Sequence, residues 1–145
     1  MAAAASSGRL PASRLLLFGW GPRDGLLSGA AEHLRWMAEV GIPLRLGSDA
    51  PVAPLDPWLA MAAAVHRSAD EREPWAPEQA LTPQEALAAS TDGITSIEVG
   101  GPGDLVLLDD DPMREDLHGT AEQAAHLRGM RPLATVVRGR LVHSR

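Results

Sequence analysis

In "LLSGAAEHLRWMAEV", Leu26 to Val40, apolar side chains recur at Leu27, Ala30, Ala31, Leu34, Met37 and Ala38. That is the three- and four-residue spacing of one helix face, so the pattern predicts an amphipathic helix. Ser28 stands where an N-cap belongs, and Gly41 where a helix should stop. The residues that follow, Leu44 to Leu46, form a short extended run, so the order is helix, tight turn, strand, half of an α/β repeat. A second helix is expected after Asp56. Its side chain can cap the first turn, and Pro57 sits at the first helical position, where a missing N–H costs nothing. Trp58, Leu59, Met61, Ala62 and Val65 supply its buried face, and "EREPWAP" ends it by about Arg72. In "TPQEALAAS", Thr82, Pro83 and Glu85 make a capping box at the head of a third helix.

From Thr91 the period changes. "TDG" turns, "SIEVG" (Ser96 to Gly100) reads as a strand, and "GPG" turns again. "DLVLLD" (Asp104 to Asp109) is a continuously apolar strand, a pattern that predicts burial on both faces or a protected position. A helix is expected around Ala121 to Leu127. Then "LATVVRGRLVHS" reads as a hairpin or bend, with Gly139 at the dihedral other residues avoid. The coarse organisation is an N-terminal stretch 1–25, an α/β part 26–90 and a strand-rich part 91–145. One short strand flanked by helices has two unpaired edges, which must be paired or covered.

At 145 residues the chain holds one domain with a modest core. Its net charge of -6, with no basic cluster, argues against nucleic acid and against anionic membrane surfaces. There is no Cys, Lys, Tyr or Asn, and all 13 basic residues are Arg. Thiol nucleophiles, disulfides, Schiff bases on Lys and thiolate metal sites are thereby excluded within these residues. Apolar runs such as "LLLFGW" and "WLAMAAAV" fall well short of the roughly 20 residues of a membrane helix, which makes cytoplasm the default location. The opening "MAAAASSGRLPASRLLLFGW" contains no acid and faintly imitates a transit peptide; a disordered N-terminus is the expectation.

The candidate chemistry is sparse. Asp49 directly follows the strand, the place where ligands and catalytic groups collect in α/β proteins, but on spacing alone an Asx-type turn before Pro51 is favoured over a functional carboxylate. His33, His66, His118, His126 and His143 show neither H-x-H nor H-E-x-x-H spacing, and His33 and His66 read as incidental helix residues. Asp109, Asp110 and Asp111 read as a solvated strand exit, Arg67 as a surface residue, and "GGPG" as a turn instead of a phosphate loop.

Four segments in order, "GIPLRLGSDAPVAPLDPWLAMAAAVHR", "PEQALTPQEALAASTDG", "SIEVGGPGDLVLLDDDP" and "LATVVRGRLVH", resemble the C-terminal portion of metal-dependent amidohydrolases, specifically amidohydrolase family 3 of the actinobacterial type. The resemblance implies the last strand and helix of a TIM-type (β/α)8 barrel, followed by strands of a small C-terminal β domain, and hence an incomplete barrel. It implies that Asp49 is the carboxylate at the end of the eighth barrel strand, which binds the catalytic metal or its water and shuttles a proton. The implied reaction is hydrolysis of non-peptide carbon–nitrogen bonds in small amide-like substrates, with a divalent metal, zinc, as the family's cofactor. The family's H-x-H pair, its carboxylated Lys or acid and its further histidines are not among these residues. The expectation is therefore a truncated portion that is inactive alone, binds no metal by itself, and self-associates or meets a complementing chain. The alternatives are a noncatalytic remnant or interaction module, or a truncated or frameshifted gene with no separate role.

Overall fold

The computed structural model describes residues 2–5, 15–18, 33–48, 50–51 and 53–145, with the backbone alone for the first two segments. Strands β1 (Ala2–Ala5), β2 (Leu15–Phe18) and β3 (Leu44–Gly47) form one sheet in that order. β1 is antiparallel to β2, while β2 and β3 run parallel, with Leu15 opposite Leu44 and Phe18 opposite Gly47. Helices α1 (Leu34–Glu39), α2 (Pro57–His66), α3 (Pro83–Ser90) and α4 (Gly119–Gly129) pack together. A second sheet, antiparallel, joins β4 (Leu105–Leu108), β5 (Pro132–Val137) and β6 (Arg140–Ser144) in the order β4-β5-β6. The architecture is mixed α/β. Among the described residues no helix is long and apolar enough to cross a membrane.

Local signals set most of the boundaries. Ser28 and the first part of the expected opening helix lie outside the described residues, but its end is as read. Ile42 N–H donates to Met37 O at 2.9 Å and Gly41 N–H to Ala38 O at 3.0 Å, the paired bonds of a Schellman stop. Gly41 sits at φ +75, where a Cβ would be strained, and turns the chain into β3. At α2 the Asp56 carboxylate accepts the Trp58 N–H at 2.9 Å, with Pro57 at the first helical position. Asp56→Ala should therefore cost about 1 kcal/mol in urea unfolding. No change in midpoint would mean that α2 holds its start without the cap. The α3 capping box forms in both directions, Glu85 N–H to Thr82 Oγ1 at 3.2 Å and Thr82 N–H to Glu85 Oε2 at 2.8 Å.

The core lies between helices. Met61, Ala62, Ala64 and Val65 of α2 meet Ala124 and Leu127 of α4, and Leu34, Met37, Leu81 and Ala86 close the cluster. Leu44 and Leu46 of β3 and the Trp58 side chain pack against its rim. Leu81 N–H donates to Ala64 O at 3.1 Å, and Arg128 Nη2 donates to Ser68 O and Asp70 O, tying the loop after α2 to α4.

Three expectations are overturned. "SIEVG" forms no strand: its residues lie in turns and irregular backbone, with Ile97 and Val99 exposed, and Gly101 N–H closes a turn onto Glu98 O. The run has β-forming residues but, among the described residues, no neighbouring strand to receive its backbone groups. β4 does form, yet it is an outer strand with Leu105, Val106 and Leu107 exposed, so its apolar continuity does not signal burial. The second helix stops at His66 instead of about Arg72, because Arg67 takes a left-handed conformation at φ +60.

Candidate functional site

β3 is the element that would deliver chemistry. Its residues are half-buried against the helical core, its parallel neighbour is β2, and it ends at the small residues Gly47 and Ser48. Asp49 comes next in the chain and lies outside the described residues, so its side chain is not placed. Beyond it Ala50, Pro51, Pro54 and Leu55 are exposed, and Asp56 N–H donates to Pro54 O at 2.8 Å just before the α2 cap. Strand, a loop containing Pro51 and Pro54, and capped helix thus follow one another, which puts Asp49 in sequence at the carboxyl end of a strand that has a parallel partner. In open α/β sheets that end is where ligands bind.

The histidines go elsewhere. His66 is buried between α2 and α4, with Nδ1 3.0 Å from Thr120 Oγ1. His126 Nε2 is 2.8 Å from the backbone oxygen of Asp111, His33 meets Trp36 edge-on, and His143 is exposed on β6. His118 stands at the head of α4, where its backbone N–H donates to Glu122. Among the described residues no three His, Asp or Glu side chains come together as a metal would require. The described donor set therefore does not fit a catalytic metal, and no chemistry of this chain is assigned to one.

The acidic run is occupied in shaping turns. Asp109 Oδ1 accepts Arg131 N–H at 2.9 Å, Asp110 Oδ1 accepts Asp111 N–H, and Asp111 Oδ1 accepts Met113 N–H. Arg67 departs from its surface reading: it is buried, with its guanidinium 5.2 Å from the Trp75 ring centre, and Trp75 N–H donates to its carbonyl. Burial lowers its pKa, against the pull of the Glu78 charge. The only signal for this in the sequence was Trp75 inside an otherwise polar stretch, and a helix read through to Arg72 hides it.

A depression of about 250 Å³ lies at the opposite, N-terminal end of β3, lined by Ile42, Pro43, Leu44, Arg45 and residues of α3 and the turn after it. Its charges are already matched, Arg45 with Asp92 and Arg35 with Glu85. Its place at the amino end of the strand separates it from the loop that carries Asp49.

A parallel strand pair, packed helices and a small antiparallel sheet define a mixed α/β protein. The family model of the amidohydrolase family matches residues 17–143 of this chain, and the chain belongs to that family. Its members are hydrolases of small molecules and are generally metal-dependent. Neither the curated proteins nor the solved structures contain a match.

Proposed function

We propose that the chain serves as the C-terminal portion of a metal-dependent hydrolase of non-peptide carbon–nitrogen bonds, contributes Asp49 as its proton-accepting carboxylate, and is inactive alone. The observation that carries the reading is the sequence of elements around β3: parallel to β2, ending in Gly47 and Ser48, followed by Asp49 and the Asp56-capped α2. In this reading residues 26–90 are the terminal α/β part of a (β/α)8 barrel, 91–145 are the β-rich segment beside it, and the protein works in the cytoplasm.

The step assigned to Asp49 is proton transfer. As a water oxygen bonds to the amide-like carbon, a carboxylate oxygen takes the water proton; the proton then passes to the departing nitrogen as the C–N bond breaks, leaving an acid and an amine. The remaining ligands of a zinc centre, an H-x-H pair among them, would come from residues outside these 145.

Two measurements test this. Elemental analysis and zinc titration of the purified chain should find no tight stoichiometric metal, and amides, ureas and cyclic imides should not be turned over. Co-expression with an amidohydrolase segment bearing the H-x-H pair should give zinc-dependent turnover, which Asp49→Ala reduces by about 10²-fold or more. Turnover that survives this substitution would remove Asp49 from the reaction.

The open β4-β5-β6 sheet favours a second reading, a noncatalytic interaction module. There Asp49→Ala would leave the biological effect intact, and that effect would be an association.

A further inference from the structure

Because the second sheet has the order β4-β5-β6, β4 and β6 each have one unpaired side among the described residues. An open edge is a template for another strand unless proline, an inward charge or a cover blunts it. Neither Leu105–Leu108 nor Arg140–Ser144 contains proline. Leu107 is 61% exposed and Leu141 63%. The register also lines up Leu105, Val136 and Leu141 across all three strands, an apolar row that ends abruptly at both edges.

The two edges differ in charge. Asp104 precedes β4, and Asp109, Asp110 and Asp111 follow it, all exposed. Asp104 Oδ1 accepts Arg138 N–H at 2.6 Å and Asp109 Oδ1 accepts Arg131 N–H, which anchors one acid at each end of the strand. Arg114, 3.4 Å from Asp110, is the arginine paired with this run. β6 is flanked by Arg138 and Arg145, begins at Arg140 and carries His143, all exposed and with no acidic side chain among them; the α-carboxylate of Arg145 offsets its own guanidinium, so the basic charge collects at Arg138 and Arg140.

We propose that β4 of one copy pairs edge to edge with β6 of a second copy, extending the antiparallel sheet head to tail. Charge selects the occupant and the geometry together. Pairing β4 with β4 sets acids against acids, and pairing β6 with β6 sets arginines against arginines, both unfavourable across strands. Only the mixed pair opposes unlike charges, and it does so best with the strands antiparallel, which sets Asp109, Asp110 and Asp111 at the end of β4 against Arg138 and Arg140 at the start of β6. The contact is heterologous, so every added copy leaves one β4 and one β6 free. Assembly continues until a ring closes.

Sedimentation of the purified chain over a concentration series tests the proposal. The average mass should rise past that of a dimer and fall at high salt. Asp110→Arg with Asp111→Arg makes the acidic end of β4 basic, so that it repels Arg138 and Arg140, and Arg138→Glu with Arg140→Glu makes the basic end of β6 acidic; each protein alone should be monomeric, and their equimolar mixture should associate again. A second readout does not depend on those variants. The chain has no cysteine, so Leu107→Cys and Leu141→Cys, which the register puts on one face of the sheet, can be oxidised separately and together. Cross-links should form between the two proteins and not within either. A wild type that stays monomeric, a fixed dimer that persists in one charge variant, or cross-links of either protein to itself would overturn head-to-tail pairing.

Discussion

Leu127→Ala should lower the stability of the chain by about 2–5 kcal/mol, the range for a buried leucine whose site cannot collapse. Leu127 is 1% exposed and lies where α4 meets α2. The buried cluster it belongs to mixes alanines (Ala62, Ala64, Ala86 and Ala124) with Leu34, Met37, Met61, Val65 and Leu81. The alanines let the helices approach closely, and the large side chains fill the space between them. Removing one leaves a cavity that its close-packed neighbours fill only in part. A domain's whole stability is about 5–15 kcal/mol, so the loss is a large share of the total. The urea midpoint should drop with an unchanged slope, while Leu127→Met, close to equal in volume, should cost under about 1.5 kcal/mol. An effect of Leu127→Ala within about 0.5 kcal/mol, as for a surface site, would mean that α4 does not pack on α2.

The second large effect is a loss of stability in acid centred on Glu85. Its carboxylate receives Arg35 Nη1 at 2.8 Å, forms a second, close contact with Arg35 Nη2, and accepts both the Thr82 N–H and the Thr82 hydroxyl. The Arg35 contact, helped by Thr82 and opposed by partial burial, holds the Glu85 carboxyl down at about 2. A carboxyl whose folded value is depressed binds protons more readily in the unfolded chain. Its contribution is therefore fully present above the ordinary carboxylate range and is lost as pH falls from about 5 toward 2. The Arg35 and Glu85 side chains are 24% and 35% exposed, so water screens the pair and the net contribution is about 1 kcal/mol. Urea unfolding at pH 7, 5 and 3 should show the wild type losing stability through this window and Glu85→Gln losing less, from a lower start. Parallel curves would show that the ion pair does not couple to folding. On the six-residue α1 this pair and the Arg35 N–H bond to Gln79 Oε1 add polar anchors to the packing of Leu34 and Met37 in the core.

Much of the helical framework was legible beforehand because capping is written within a few residues. Asp56 with Pro57, Thr82 with Glu85 and Gly41 each satisfy backbone groups one to five positions away, so the residues that make the bond are adjacent in the text. The hairpin around Gly139 was equally local, although the structure puts Arg138 at positive φ as well, the pair of dihedrals a two-residue turn needs. Asp49 was singled out by resemblance more than by spacing, and its side chain lies outside the described residues.

By itself the sequence determined where α2 and α3 start and where α1 stops, that a short strand leads into Asp49, and that no thiol or lysine chemistry is available among these residues. The tertiary structure alone decided that α4 lies on α2, that Arg67 turns inward onto Trp75 and that, among the described residues, "SIEVG" has no strand partner and the apolar β4 is left uncovered at an edge. The division has one physical cause. A cap or a turn is closed by neighbours in the chain, whereas burial and strand pairing depend on which distant residues arrive to exclude water or accept a hydrogen bond, and apolar composition alone does not name them.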